Sequence, residues 1–140
     1  MTQRIQIEAS VHQSLVPTWN AYTLPEHIVR WNFADVSWHC PSAVNDLCVG
    51  GTYRARMEAR DQSAGFDFVA EYTEVILHER FTYAFGGQTC TVAFLPEDQA
   101  TRVRIEFDSD GVYSVELQEQ GWMAILNRFK AYAEDSAFVG

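Results

Sequence analysis

His39 and Cys40 stand together in the string Trp38-His39-Cys40-Pro41, and that pairing invites two kinds of chemistry. One is a thiolate nucleophile activated by imidazole. The other is a metal site completed by Cys48. Neither spacing suits. Neighbours on a strand point to opposite faces, so His39 does not reach Cys40 as a base. Zinc sites usually take four ligands at paired short spacings, and no Cys-x-x-Cys or second histidine lies near. A structural histidine and a half-buried thiol are the stronger reading, and no metal is expected. Carboxylates offer a second chemistry. Glu71 and Glu74 lie on one expected strand but on opposite faces, while Glu106 and Asp108 share the wet face of another. A general acid–base role needs burial that moves a pKa toward neutrality, and alternation supplies none. His12, His27 and His78 occupy polar or terminal positions and read as solvated. Gly50-Gly51 and Gly86-Gly87 precede no helix opening with Lys-Ser or Lys-Thr, so they are strand-edge bends and not phosphate loops. No cofactor motif is found. Arg54, Arg56 and Arg60 form a basic row interrupted by Glu58, a solvated sheet face with cross-strand partners at Asp67 and Glu71.

The totals narrow the field. A chain of 140 residues fits one domain, expected to run over 1–140. Apolar residues make up 47%, enough for a core without disulfides, and aromatic residues 14%, spread along the chain. The formal charge of −9 repels nucleic acid and anionic membrane surfaces alike. Cys40, Cys48 and Cys90 form no disulfide framework, and no signal peptide is recognised, so a cytoplasmic location is expected. No apolar stretch approaches the ~20 residues of a membrane span.

The elements that must position any site follow from periodicity. Ile5, Ile7 and Ala9 alternate with Gln6 and Glu8 as a short strand. Val11 to Trp19 reads as a short helix broken near Pro17, and Leu24 to Trp31 as a second, opened by Pro25 and Glu26. Short strands are expected at Val36 to His39 and Ala43 to Leu47. Tyr53, Ala55, Met57 and Ala59 alternate strictly with Arg54, Arg56, Glu58 and Arg60. Asp61 to Gly65 is a turn, and strands follow at Phe66 to Val75, Leu77 to Phe85, Thr89 to Leu95 and Thr101 to Phe107. Sequential strands with short breaks imply an antiparallel meander with one wet face. From about Ser114 the period turns helical: Trp122, Ile125, Leu126, Phe129, Tyr132 and Ala133 form one stripe. That stripe is suited to cover the sheet, and a twisted sheet around a straight helix leaves space between them.

Several strings in this order resemble one family. They are Ile5 to Val11 followed by Trp19; Pro25-Glu26-His27-Ile28-Val29-Arg30-Trp31; Asp35 to Pro41; Val49-Gly50-Gly51-Thr52-Tyr53; Tyr72-Thr73-Glu74-Val75; and Gly121-Trp122 running toward Phe129. The chain resembles the helix-grip (START/Bet v-like, SRPBCC) superfamily of START lipid-transfer domains, the birch-pollen allergen and polyketide cyclases. Within it the chain is most similar to the homologues of the activator of the heat-shock-chaperone ATPase (AHSA-like). The resemblance implies an α+β helix-grip fold. A curved antiparallel sheet of about six strands wraps a long C-terminal helix, with two short helices after the first strand. Eukaryotic activators carry an additional N-terminal chaperone-binding domain, whereas this chain is expected to begin at the first strand of the grip. The activity in the family name is therefore not carried over.

The fold and the alternation together nominate a cavity. Its candidate lining is Met57, Tyr72, Phe81, Tyr83, Phe85, Phe94 and Ile105 from the sheet, Trp122, Leu126 and Phe129 from the helix, and Trp38. Tyr53, Phe68, Val92, Val103 and Phe107 share the inward face, with Met123 and Ile125 opposite them. Tyr72, Tyr83 and Trp38 are the expected polar contacts. The leading expectation is binding of a small hydrophobic or amphipathic molecule. An enzyme of the polyketide-cyclase or hydrolase type using the same cavity is the alternative, and a chaperone-associated interaction module is a third. A homodimer is compatible with each.

Overall fold

Strict alternation in the middle of the chain builds the sheet, and a computed structural model describes residues 3–139 of it. Met1, Thr2 and Gly140 lie outside the described residues. The elements are β1 (Arg4–Val11), α1 (Leu15–Thr23), α2 (Pro25–Trp31), β2 (Trp38–Asn45), β3 (Thr52–Ala59), β4 (Gly65–Ile76), β5 (Arg80–Phe85), β6 (Gln88–Glu97), β7 (Ala100–Asp108) and α3 (Val115–Glu134). Seven strands form one antiparallel sheet in the order β1-β7-β6-β5-β4-β3-β2. It curls into a half-barrel around α3, the helix-grip arrangement expected from the sequence.

The differences from expectation have local causes. The two short strands expected around Pro41 are one strand, β2, which passes the proline through a register shift between His39 and Ser42. Proline lacks the N–H of a regular ladder, so a bulge on this edge strand accommodates it. Val11 does not open a helix: it completes β1 opposite Thr101, and α1 starts at Leu15. Pro17 therefore falls in the first helical turn, where no backbone donor is missed. A second bulge, between Tyr72 and Glu74, resets the alternation of β4. Glu74 consequently stands beside Glu71 on the outer face, correcting the expected opposition, and pairs with Arg80 at 2.9 Å. Leu77 and His78 form a turn, with His78 at φ +63°, so β5 begins only at Arg80. Gly86 and Gly87 take φ +53° and +80°, the two positive values of a two-residue I′ hairpin joining β5 to β6.

α3 begins at Val115, in keeping with the helical period expected from about Ser114. Ser114 caps it by accepting from the Leu117 backbone N–H, leaving Gly121 in the helix interior. Its C-terminal half lies against β1, α1 and α2, where Leu126, Phe129 and Ala133 are fully buried. Phe129 sits between the rings of Tyr22 and Trp31, at centroid distances of 4.9 and 5.1 Å. Burying such a ring contributes about 1.5–3 kcal/mol. The Trp31 indole N–H donates to the Ala21 carbonyl at 2.9 Å, which fixes α2 on α1. Among the described residues, no helix is long and apolar enough to cross a membrane.

Candidate ligand cavity

Even-numbered residues of β4 as far as Tyr72 point inward, as do odd-numbered residues of β3, β5 and β7. At the C-terminal half of α3 their side chains meet the helix. At its N-terminal half the contact is partial: Trp122 stacks on Phe107 of β7 at 4.1 Å, but Trp122, Met123 and Ile125 are only half-buried and a gap remains. The gap is a cavity of about 230 Å³. β3 contributes Tyr53 and Met57, β4 Phe66, Phe68 and Tyr72, β5 Phe81 and Tyr83, and β7 Ile105. α3 contributes Trp122, Ile125 and Leu126, and the short helices close the end with Tyr22, Trp31 and Asn32.

Seven of the eleven nominated residues therefore line this space: Met57, Tyr72, Phe81, Tyr83, Ile105, Trp122 and Leu126. The other four stand elsewhere. Phe94 and Phe129 are solid core, the former packed against Trp19 at 5.0 Å. Phe85 packs on Phe68 at 5.0 Å and Trp38 lies 6.0 Å from Phe66, and neither belongs to the lining. Alternation identifies an inward ring but not whether another ring fills the space before it. Tyr22, Trp31, Asn32 and Phe66 were not nominated. Phe66 continues the Phe68-Ala70-Tyr72 alternation and was legible there. Tyr22 and Trp31 lie three residues after Trp19 and Ile28, on the buried faces of their helices. Asn32 follows the end of α2 and carries no signal in the sequence.

The cavity's polar groups are four phenols, one amide and the indole N–H groups of Trp31 and Trp122. Tyr72 O–H donates to Asn45 Oδ1 at 2.7 Å, and Asn45 Nδ2 donates to the Thr23 carbonyl at 2.7 Å. Asn32 Nδ2 donates to the Tyr53 hydroxyl oxygen at 3.1 Å. Tyr83 stands opposite Cys90 in the β5–β6 ladder, and its hydroxyl has no hydrogen-bond partner among the described residues. Burial raises the pKa of all four phenols (Tyr22, Tyr53, Tyr72 and Tyr83). They are neutral hydroxyls at any physiological pH. Burial also pushes the Cys90 thiol up to about 12 and the Cys40 thiol up to about 11. No Asp, Glu, His, Lys or Arg belongs to the lining.

The other candidate groups sit outside the cavity. Cys40 is buried and donates to the Ser42 carbonyl, while His39 points the other way, 3.8 Å from Glu58. Asp108 binds Arg4 at 3.0 Å and accepts from the Thr89 backbone N–H at 2.9 Å, so it is not coupled to Glu106. These donors hold its pKa below the ordinary carboxylate value. Arg56 pairs with Glu58 at 2.9 Å and lies 3.7 Å from Asp67, the expected solvated ladder. Arg60 turns instead to the Val36 carbonyl at 2.8 Å. Of the three histidines read as solvated, only His12 is exposed. His78 meets Trp19 edge-on, and His27 contacts the Tyr132 hydroxyl and the Phe138 ring, where burial lowers its pKa.

Comparison with known proteins agrees with this architecture. Residues 16–134 match the family described as activator of Hsp90 ATPase homolog 1-like protein. The chain is similar to the AHSA1-like protein of Aeromonas hydrophila, with 34% identity over 99% of each chain and a TM-score of 0.90. It is also similar to a protein of Cytophaga hutchinsonii, at 36% identity over 94% of this chain and 92% of the other, with a TM-score of 0.81. A Chromobacterium violaceum protein shares the fold at 18% identity, with a TM-score of 0.81 over 95% and 98% of the two chains. No curated protein matches the chain.

Proposed function

The chain belongs to the activator of Hsp90 ATPase homolog 1-like family, and from that premise we propose that it binds a small apolar or amphipathic molecule between the sheet and α3. The observation that supports this reading best is an aromatic-lined cavity of about 230 Å³ with a few neutral polar groups and no charge. Ligand sites are mostly apolar with a small number of placed hydrogen-bonding groups. An apolar cavity of roughly 150 Å³ accepts benzene, so this one accommodates about nine non-hydrogen atoms. Acid–base catalysis in the same space is less well supported. A catalytic proton carrier works best with a pKa near the working pH, and the phenols here are shifted away from it. The unpaired cysteines and the acidic charge favour a cytoplasmic protein that does not bind nucleic acid.

Propylbenzene, with nine carbons, is a suitable probe. Binding to the native state alone stabilises it by about 2.7 kcal/mol at a hundredfold excess over Kd. A rising melting temperature, with Trp122 and Ile125 resonances perturbed, is the expected result. No thermal shift and no perturbed cavity resonance at the solubility limit of propylbenzene would remove the proposal.

A further inference from the structure

The hydrogen bonds around the cavity show which hydroxyl protons are committed and which are free. The Thr23 carbonyl can only accept, so Asn45 presents Nδ2 to it and Oδ1 to Tyr72. The Tyr72 proton is thus committed to Asn45. On the other side, Asn32 turns its NH₂ group to the Tyr53 oxygen and donates to it at 3.1 Å. The Tyr53 oxygen accepts, and its own proton has no acceptor among the described residues. The Tyr22 and Tyr83 hydroxyls likewise have no hydrogen-bond partner among them, yet neither is sealed off as a buried unsatisfied atom. All three residues line the cavity.

We infer that the cavity selects an uncharged ring compound carrying one hydrogen-bond acceptor, such as a ketone oxygen, held by the free hydroxyl protons of the wall, Tyr22 and Tyr53 among them. This rests on the binding reading above and adds the chemical class. Free donors facing an apolar space reward an acceptor and are left unpaired by a hydrocarbon. A carboxylate also accepts, but no cation lines the wall to offset the loss of its water shell. An ammonium ion is attracted to ring faces, but here it meets the positive ends of these O–H groups.

Four probes of similar size separate these outcomes by calorimetry at neutral pH: acetophenone, its hydrocarbon isostere α-methylstyrene, benzoate and phenyltrimethylammonium. Acetophenone is expected to bind about tenfold tighter than α-methylstyrene, one charge-free hydrogen bond's worth. Benzoate and phenyltrimethylammonium are expected to bind at least a hundredfold more weakly than acetophenone. In Tyr53→Phe and Tyr22→Phe the preference for ketone over hydrocarbon shrinks several-fold, while α-methylstyrene affinity does not fall. If either variant fails to fold, the carbonyl stretch of acetophenone bound to the unaltered protein serves instead. It should lie below its frequency in hexane. Equal binding of acetophenone and α-methylstyrene, or tighter binding of either ion, overturns the inference but leaves the cavity reading standing. Failure of all four probes to bind overturns both.

Discussion

Ile105→Ala tests the cavity from its floor. Ile105 is 2% exposed on β7, opposite Ile7 on one side and Val92 on the other, with its tip in the cavity wall. Alanine removes three carbons. At about 0.8 kcal/mol for each, the transfer loss is about 2.4 kcal/mol, and incomplete collapse around the site brings the cost to about 3 kcal/mol. For a chain of this size that lowers the melting temperature by roughly 10 °C. The removed volume joins a space that already exists, so it becomes room for a ligand. Hexylbenzene has three more carbons than propylbenzene. In the unaltered protein the extra carbons find no space. In the variant they recover up to about 2.4 kcal/mol, an improvement of roughly 60-fold in the affinity ratio of hexylbenzene to propylbenzene. Titration calorimetry of both hydrocarbons against both proteins measures that ratio, and a urea melt confirms that the variant is folded. A folded Ile105→Ala protein with an unchanged ratio would show that the wall is misassigned, whatever its stability.

Other substitutions probe the frame around the cavity. Tyr72→Phe leaves Asn45 Oδ1 without its donor and should cost about 1–3 kcal/mol in urea unfolding. Gly121→Ala should stabilise by about 0.5–1 kcal/mol, because Gly121 is inside α3 and an added Cβ meets nothing within 4 Å. Gly51→Ala should do the reverse, by at least about 2 kcal/mol, since its Cβ would stand 2.1 Å from the Asp46 carbonyl oxygen; paired thermal melts report both signs. The Asp108 carboxylate has a folded pKa below its ordinary 3.8, so its stabilisation is complete above that value and is lost as pH falls through the lower folded value. The stability gap between the unaltered protein and Asp108→Asn should therefore be constant from pH 7 to 5 and close only in strong acid. A gap that closes near pH 6 would assign it to another group.

Much of the fold was readable because β3, β7 and α3 keep one period over their whole length. Tyr53, Ala55, Met57 and Ala59 are all buried, as are Val103, Ile105 and Phe107. The two bulges were not readable. Pro41 looked like the end of a strand, and Thr73 gave no warning that Glu74 changes face. The site was legible only as an inward list. Whether Phe94 faces a ligand or Trp19 depends on where α1 lies, and periodicity within β6 carries no information about that. The polar logic was hidden more deeply. Asn32 and Asn45 orient Tyr53 and Tyr72 from positions 21 and 27 residues away in the chain, by contacts that leave no trace in local pattern.

The pairing of β1 with β7 joins Arg4 to Asp108 and Val11 to Thr101. During synthesis the first strand emerges with apolar Ile5 and Ile7 on one face and no partner to lie against. Translation at about 5–20 residues per second makes that wait on the order of 5–20 s before the last strand leaves the ribosome. The meander from β2 to β6 pairs only with near neighbours and can assemble meanwhile. The amino terminus thus joins the sheet late, and α3, which rests on β1, joins later still.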